Sequence, residues 1–202
     1  MIRTPAIVAL LALAACAGPG PITLTDSWPT RTRDYDDVVR DWTRTGSLMR
    51  DFETVITVDA TFESPEWRAA YVAERTRREK LPASDTAALL SAQKQANAES
   101  YAFELLVSTH DPRWNDLQKG ERSMWRLALM NDRGQQVTPT SIKREQRPDA
   151  VVRAWFPRMG DFSEAYAVRF PRSVDLLGDG ARALILRVSS ASGAVQLSWR
   201  SR

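Results

Sequence analysis

From Leu48 to Phe62 the chain alternates with period two: Leu48, Phe52, Ile56, Val58, Ala60 and Phe62 fall on one face, Asp51, Glu53, Thr57, Asp59 and Glu63 on the other. Only an extended strand sends every second side chain to the same side, so this stretch predicts one long strand with a dry face and a wet face. Such a strand must cover its dry face with a second layer. The same period returns at Tyr101, Phe103, Leu105 and Val107, then over Ser123 to Met130, Gln136 to Ile142, Ala150 to Phe156, Ala165 to Phe170, Ala183 to Val188 and Val195 to Trp199. Asn131-Asp-Arg-Gly134 and Ser192-Gly193 are hairpin turn signals, and Pro139 marks an edge or a bulge. The expectation is a mainly β chain: an antiparallel two-sheet sandwich, immunoglobulin-like or related. An α+β sheet with one helical layer and a barrel are the alternatives.

Helical period appears in two places. Tyr35, Val38, Val39 and Trp42 form one apolar stripe with acids in the first turn, which predicts a short N-terminal helix over Asp34 to Arg44, stopped by Gly46. Ser64-Pro65-Glu66 combines a cap, a proline at the first helical position and an early acid, so a helix starts there and ends before Pro82. Ser84 or Asp85 caps a second, alanine-rich helix to about Asn97. Together they predict a helical hairpin inserted at about 64–98.

The strand and turn segment that begins Trp125-Arg-Leu-Ala-Leu-Met and ends at Gly134 is loosely similar to immunoglobulin-like modules. A more specific resemblance lies at the N-terminus. Met1 to Ala15 has one charge at Arg3, an apolar run from Ala6 to Leu13 and small residues before Cys16, the anatomy of a secretory leader too short to stay as a membrane span. Leu13-Ala14-Ala15-Cys16 resembles the lipobox of bacterial lipoproteins, which implies cleavage before Cys16 and acylation of its sulfur and new amino group, palmitate included. Three acyl chains imply lasting attachment, since each buried CH₂ adds about 0.8 kcal/mol. Ala17 stands where many inner-membrane-retained lipoproteins carry Asp, so the resemblance implies the outer membrane, periplasmic face. Cys16 is the single cysteine, so no disulfide forms within the chain. Residues 16–32, rich in Gly, Pro and Thr, read as a lipidated flexible tether, and 33–202 as one globular domain.

Composition narrows the partners. Lys and Arg exceed Asp and Glu by three (28 against 25), too small an excess for a nucleic-acid surface. The basic run Arg75, Arg77, Arg78 and Lys80 is a candidate contact surface for anionic lipid, although Glu74 and Glu79 intersperse it as on a solvated helix face. Of seven tryptophans most belong to the core, while Trp28 in the tether and Trp114 in a polar loop are candidates for contact.

Chemistry is sparse. The single histidine, His110, adjoins Asp111, but adjacency in sequence does not make a relay, and no G-x-S-x-G elbow occurs. One imidazole and a lipidated cysteine cannot hold zinc. Asp34, Asp36, Asp37 and Asp41 lack the turn glycine of a calcium loop. Leu176-Leu-Gly-Asp-Gly180 lacks the lysine of a phosphate loop. Glu53, Glu63, Glu99 and Glu104 are candidate carboxylate pairs for glycoside chemistry. No catalytic residue, metal or cofactor is expected. The leading expectation is a non-enzymatic envelope lipoprotein that binds another envelope protein. A binding module for an envelope glycan or lipid and a carboxylate-dependent hydrolase are the alternatives. An aromatic-lined pocket favours the second, two facing carboxyls in a cleft the third, and flat patches over a closed core the first.

Overall fold

The computed structural model describes residues 19–146, 163–178 and 180–201. It is mainly β, with two antiparallel sheets and three helices among those residues. The helix α1 (Tyr35–Trp42) leads into β1 (Thr43–Arg50) and β2 (Glu53–Phe62); α2 (Pro65–Glu79) and α3 (Ala83–Glu99) follow, then β3 (Ser100–Thr109). After two 3₁₀ turns (Pro112–Trp114 and Leu117–Arg122) come β4 (Arg126–Asn131), β5 (Gln136–Val137), β6 (Ser141–Arg144), β7 (Glu164–Pro171), β8 (Ala183–Ser190) and β9 (Gly193–Arg200). One sheet has the order β1-β2-β3-β7-β6 and the other β5-β4-β8-β9.

The inner faces meet in an aromatic core. Phe62 pairs in register with Phe103, which pairs with Val168, so all three point the same way. Phe103 lies 4.9 Å from Phe62, 5.8 Å from Phe170 and 5.3 Å from Trp199 of the opposite sheet, ring centroid to ring centroid. Trp42 closes this cluster from α1, 5.7 Å from Phe62, and its carbonyl accepts the Trp199 indole N–H at 2.7 Å. The sheets approach along β1 and β9, where a Cβ on Gly46 would lie 2.7 Å from Val195 and 2.8 Å from Leu197. Gly46 therefore serves close packing inside a strand and does not stop the helix.

Several expectations need correction. The stretch 48–62 is not one strand: Asp51 and Phe52 take φ of 50° and 68°, a two-residue turn that joins Arg50 to Glu53. Phe52 points to solvent at the turn and not to the core. The turn pairs residues of opposite parity, Arg50 with Glu53 and Met49 with Thr54, and a bulge at Val55 restores the parity at the Leu48–Ile56 pair, so the alternation continues through the hairpin. The segment Gln136 to Ile142 is likewise two strands in different sheets, with Pro139 at the crossing where a ladder N–H is not needed. The second insertion helix starts at Ala83 after Pro82, with no side-chain cap. The strand expected over 150–156 lies outside the described residues.

Residues 20–26, expected in a flexible tether, are docked on the domain. Ile22 and Leu24 are buried, Ile22 bridges to Ser201 beyond β9, and Asp26 pairs with Arg172 at 2.7 Å. Alternating apolar residues among the prolines and threonines supply the surface that a free linker lacks. Buried Asp41 holds the incoming chain, taking the Gly20 amide and the Arg33 guanidinium, each at 2.8 Å. Burial pushes the Asp41 carboxyl up, but the Arg33 and Gly20 hydrogen bonds outweigh it and leave its pKa below the ordinary carboxylate value. A depressed carboxylate contributes stability that is present above its unfolded pKa, about 4, and is lost as pH falls through the folded value. Asp41→Asn is expected to flatten the acid limb of the melting profile and to speed amide exchange at 20–24. An unchanged acid limb contradicts this role.

Candidate functional site

Most charged candidates are engaged by their neighbours. On α2, Arg75 donates to Glu79, and Glu74 accepts from both Arg77 and Arg78. Those guanidinium hydrogen bonds hold the Glu74 carboxyl down to about 2. Two acids offset half of the four cations in the run, so the face keeps an excess of two positive charges. Asp34 caps α1 by accepting the Asp36 and Asp37 amides, and Asp41 is spent on Arg33 and Gly20. Among the described residues no cluster of three metal-ligating side chains forms.

The carboxylate candidates are dispersed. Glu63 pairs with buried Arg68 at 2.8 Å, Glu99 accepts from Gln95, and Glu104 stands on the outer face of the first sheet, opposite Thr61. Glu53 lies at the hairpin tip, 3.8 Å from the exposed His110 ring. Asp111 turns away from that ring to Arg113, whose side chain and amide hold its carboxyl down to about 2. In the 176–180 segment the Leu177 amide is taken by the Asp175 carboxylate, which places an acid where a phosphate loop needs a cation. Residue 179 and Cys16 lie outside the described residues.

The aromatic candidates divide. Trp28 is half-buried beside α3, with Lys94 Nζ 5.6 Å from its ring centre. Trp114 stays 38% exposed, its carbonyl accepting the Trp125 indole N–H. Met49 at 64% and Phe52 at 101% complete the large apolar side chains exposed among the described residues. All three lie at one end of the first sheet. Met49 and Phe52 stand at the β1–β2 turn, and Trp114 follows the end of β3, whose last residue Thr109 pairs with Ile56 near that turn. The nearby charges pair among themselves: Arg50 with Asp51, Arg113 with Asp111, His110 beside Glu53. The tip is thus apolar at its apex and electrically self-contained around it.

The chain enters at the opposite end. Gly20 and Ile22 sit against Asp41 and Ser201, beside the start of β1 and the end of β9. The eight residues of β1 separate the two ends by roughly 25 Å at about 3.3 Å per residue.

Phe52 is costly where it stands. A left-handed backbone at a residue with a Cβ is disfavoured by about 1–2 kcal/mol, and turns of this type prefer Asn-Gly or Asp-Gly. Phe52→Gly is expected to raise the urea midpoint, a gain of up to about 1 kcal/mol. A loss of stability would mean that Phe52 packs against the domain.

Comparison of the chain with family models, with curated proteins and with solved structures returned no match.

Proposed function

We propose that this protein is a lipid-anchored envelope lipoprotein that displays a non-enzymatic docking tip. The observation that carries the reading is the placement of Met49, Phe52 and Trp114 at the end of the sheet opposite the entry of the chain. Cys16 precedes Pro19 by three residues, which span at most about 10 Å. An acylated Cys16 would therefore hold the α1 end of the domain close to the lipid, with the tip facing away from it. No helix among the described residues is long and apolar enough to cross a membrane, so attachment rests on Cys16.

A tip of this kind suits a protein partner better than an anionic surface. Its cations are already paired, and screened ion pairs add little. An exposed Phe on a rigid hairpin can fill an apolar socket, the usual form of an interaction hot spot. The paired and dispersed carboxylates give the hydrolase reading no cleft to work in.

The premise is tested by expressing wild type and Cys16→Ser in a bacterial host and fractionating the membranes. Wild type is expected in the membrane, its N-terminal peptide beginning at an acylated Cys16, while Cys16→Ser keeps its leader. A soluble wild type with an unmodified thiol contradicts the anchor.

A further inference from the structure

A second surface feature has no part in the docking tip. Where the chain crosses from β5 to β6, the two sheets part and leave an open cleft of about 540 Å³, within the range of small-molecule sites. Its apolar wall is Trp125, Leu127, Pro139 and Ile142. Facing them are the neutral polar side chains of Gln118, Thr138, Thr140 and Ser141. Those of Gln118, Thr138 and Ser141 have no hydrogen-bond partner among the described residues, and Thr140 donates to the Arg169 carbonyl while its oxygen can still accept. Gly120, at φ 58°, forms part of the rim, and a side chain there would meet only open space.

Charge decides the ligand class. The cation on this cleft, Arg126, is held in place by three of its N–H groups: its Nη1 donates to the Ser123 and Trp125 carbonyls and its Nη2 to the Glu121 carbonyl. The remaining charge is the Glu121 carboxylate. The charges of Arg126 and Glu121 offset each other, so the cleft carries no net charge, which favours an uncharged ligand over a phosphate or a fatty acid. A purely apolar ligand would strand the amide and the hydroxyls. Saccharides match both walls, because their C–H faces lie on apolar and aromatic side chains while their hydroxyls exchange hydrogen bonds with amides, hydroxyls and carboxylates.

We propose that this cleft binds an uncharged oligosaccharide, with Gln118, Thr138 and Ser141 as its hydrogen-bond partners and Ile142 and Pro139 beneath the sugar ring. The site includes neither Met49 nor Phe52 and needs no acylation at Cys16; it adjoins Trp114, whose carbonyl accepts the Trp125 indole N–H.

The test titrates the full chain, in a detergent without a sugar headgroup, with N,N′-diacetylchitobiose and with maltose, read by saturation-transfer NMR and tryptophan fluorescence. Decanoate and inorganic phosphate serve as controls. Saturable binding of a sugar is expected, weakened by about tenfold in Gln118→Ala, the effect of losing one well-made hydrogen bond. Binding is expected to vanish in Ser141→Trp, which fills the cleft, and to persist in Phe52→Gly. Should Ser141→Trp fail to fold, Thr138→Trp at an exposed position blocks the same space. Absence of saturable binding by both sugars at millimolar concentration overturns the proposal. So does binding that survives the filling variants, or binding of decanoate or phosphate in place of sugar.

Discussion

Trp199→Ala is expected to cost the domain about 4 kcal/mol, close to the limit that a marginally stable fold tolerates. The indole is fully buried at the centre of the ring cluster, in contact range of Phe62 and Phe103, with Arg44 over its face at 5.9 Å. Its N–H ties the last strand to α1 through the Trp42 carbonyl. The change therefore opens a cavity and leaves a buried acceptor unpaired. Trp199→Phe keeps most of the packing and is expected to lose about half as much. Urea unfolding followed by circular dichroism separates the two. A cost below about 1 kcal/mol for Trp199→Ala would mean that the two sheets do not share this core.

Arg68→Ala comes next, with an expected loss of about 3–5 kcal/mol. The guanidinium is buried beneath α2 and reaches the Glu63 carboxylate at 2.8 Å, the Glu63 carbonyl at 3.0 Å and Gln93 of α3 at 2.5 Å. Three acceptors on two residues, Glu63 before α2 and Gln93 on α3, lose their donor at once, and Glu63 keeps an uncompensated charge. Arg68→Met combined with Glu63→Gln removes both charges and is expected to recover more than half of the loss. Arg68→Lys is expected to recover little, because one ammonium cannot span the three acceptors that the planar fork reaches. Equal stability of Arg68→Ala and the double variant would show that the pair is not coupled.

The architecture is legible wherever a local signal coincides with a tertiary one. The Ser64-Pro65 start of α2 is readable because the Ser64 hydroxyl accepts the Trp67 amide in the structure, as the residue types require. The hairpin tip is not legible, and the reason is specific. The two-residue turn reverses the parity of alternation and the bulge at Val55 reverses it back, and Asp51-Phe52 lacks the glycine that usually marks such a turn. The one usable signal is length, because a strand of 15 residues from 48 to 62 exceeds the usual span of about 3–10 and requires a break. Leu24 and Ile22 are hidden by the prolines and glycines around them. Their docking depends on Asp41 and Ser201, residues far along the chain. The cleft is invisible for a related reason: Gln136 to Ile142 alternates like one strand, and only the division of its halves between two sheets opens the space beside Pro139.

The proposed docking surface is also poorly marked by composition. Arg75, Arg77 and Arg78 form the densest run of cations, yet Glu74 and Glu79 pair with all three at helical spacing and offset two of the three charges. Trp114 is readable as a contact candidate, but its partners in that role, Met49 and Phe52, fall inside what alternation presents as a continuous strand. Fold topology, with β3 ending at Thr109 opposite Ile56, is what places the three toward the same end of the first sheet.

The most direct test of a displayed docking tip is photo-crosslinking in the host, with a benzophenone amino acid in place of Phe52 and, as control, in place of exposed Gln196 on β9. A discrete protein adduct from position 52, absent from position 196 and diminished when Met49→Ser and Trp114→Ser are added, is the predicted result. Adducts to lipid alone, or the same pattern from both positions, would contradict it.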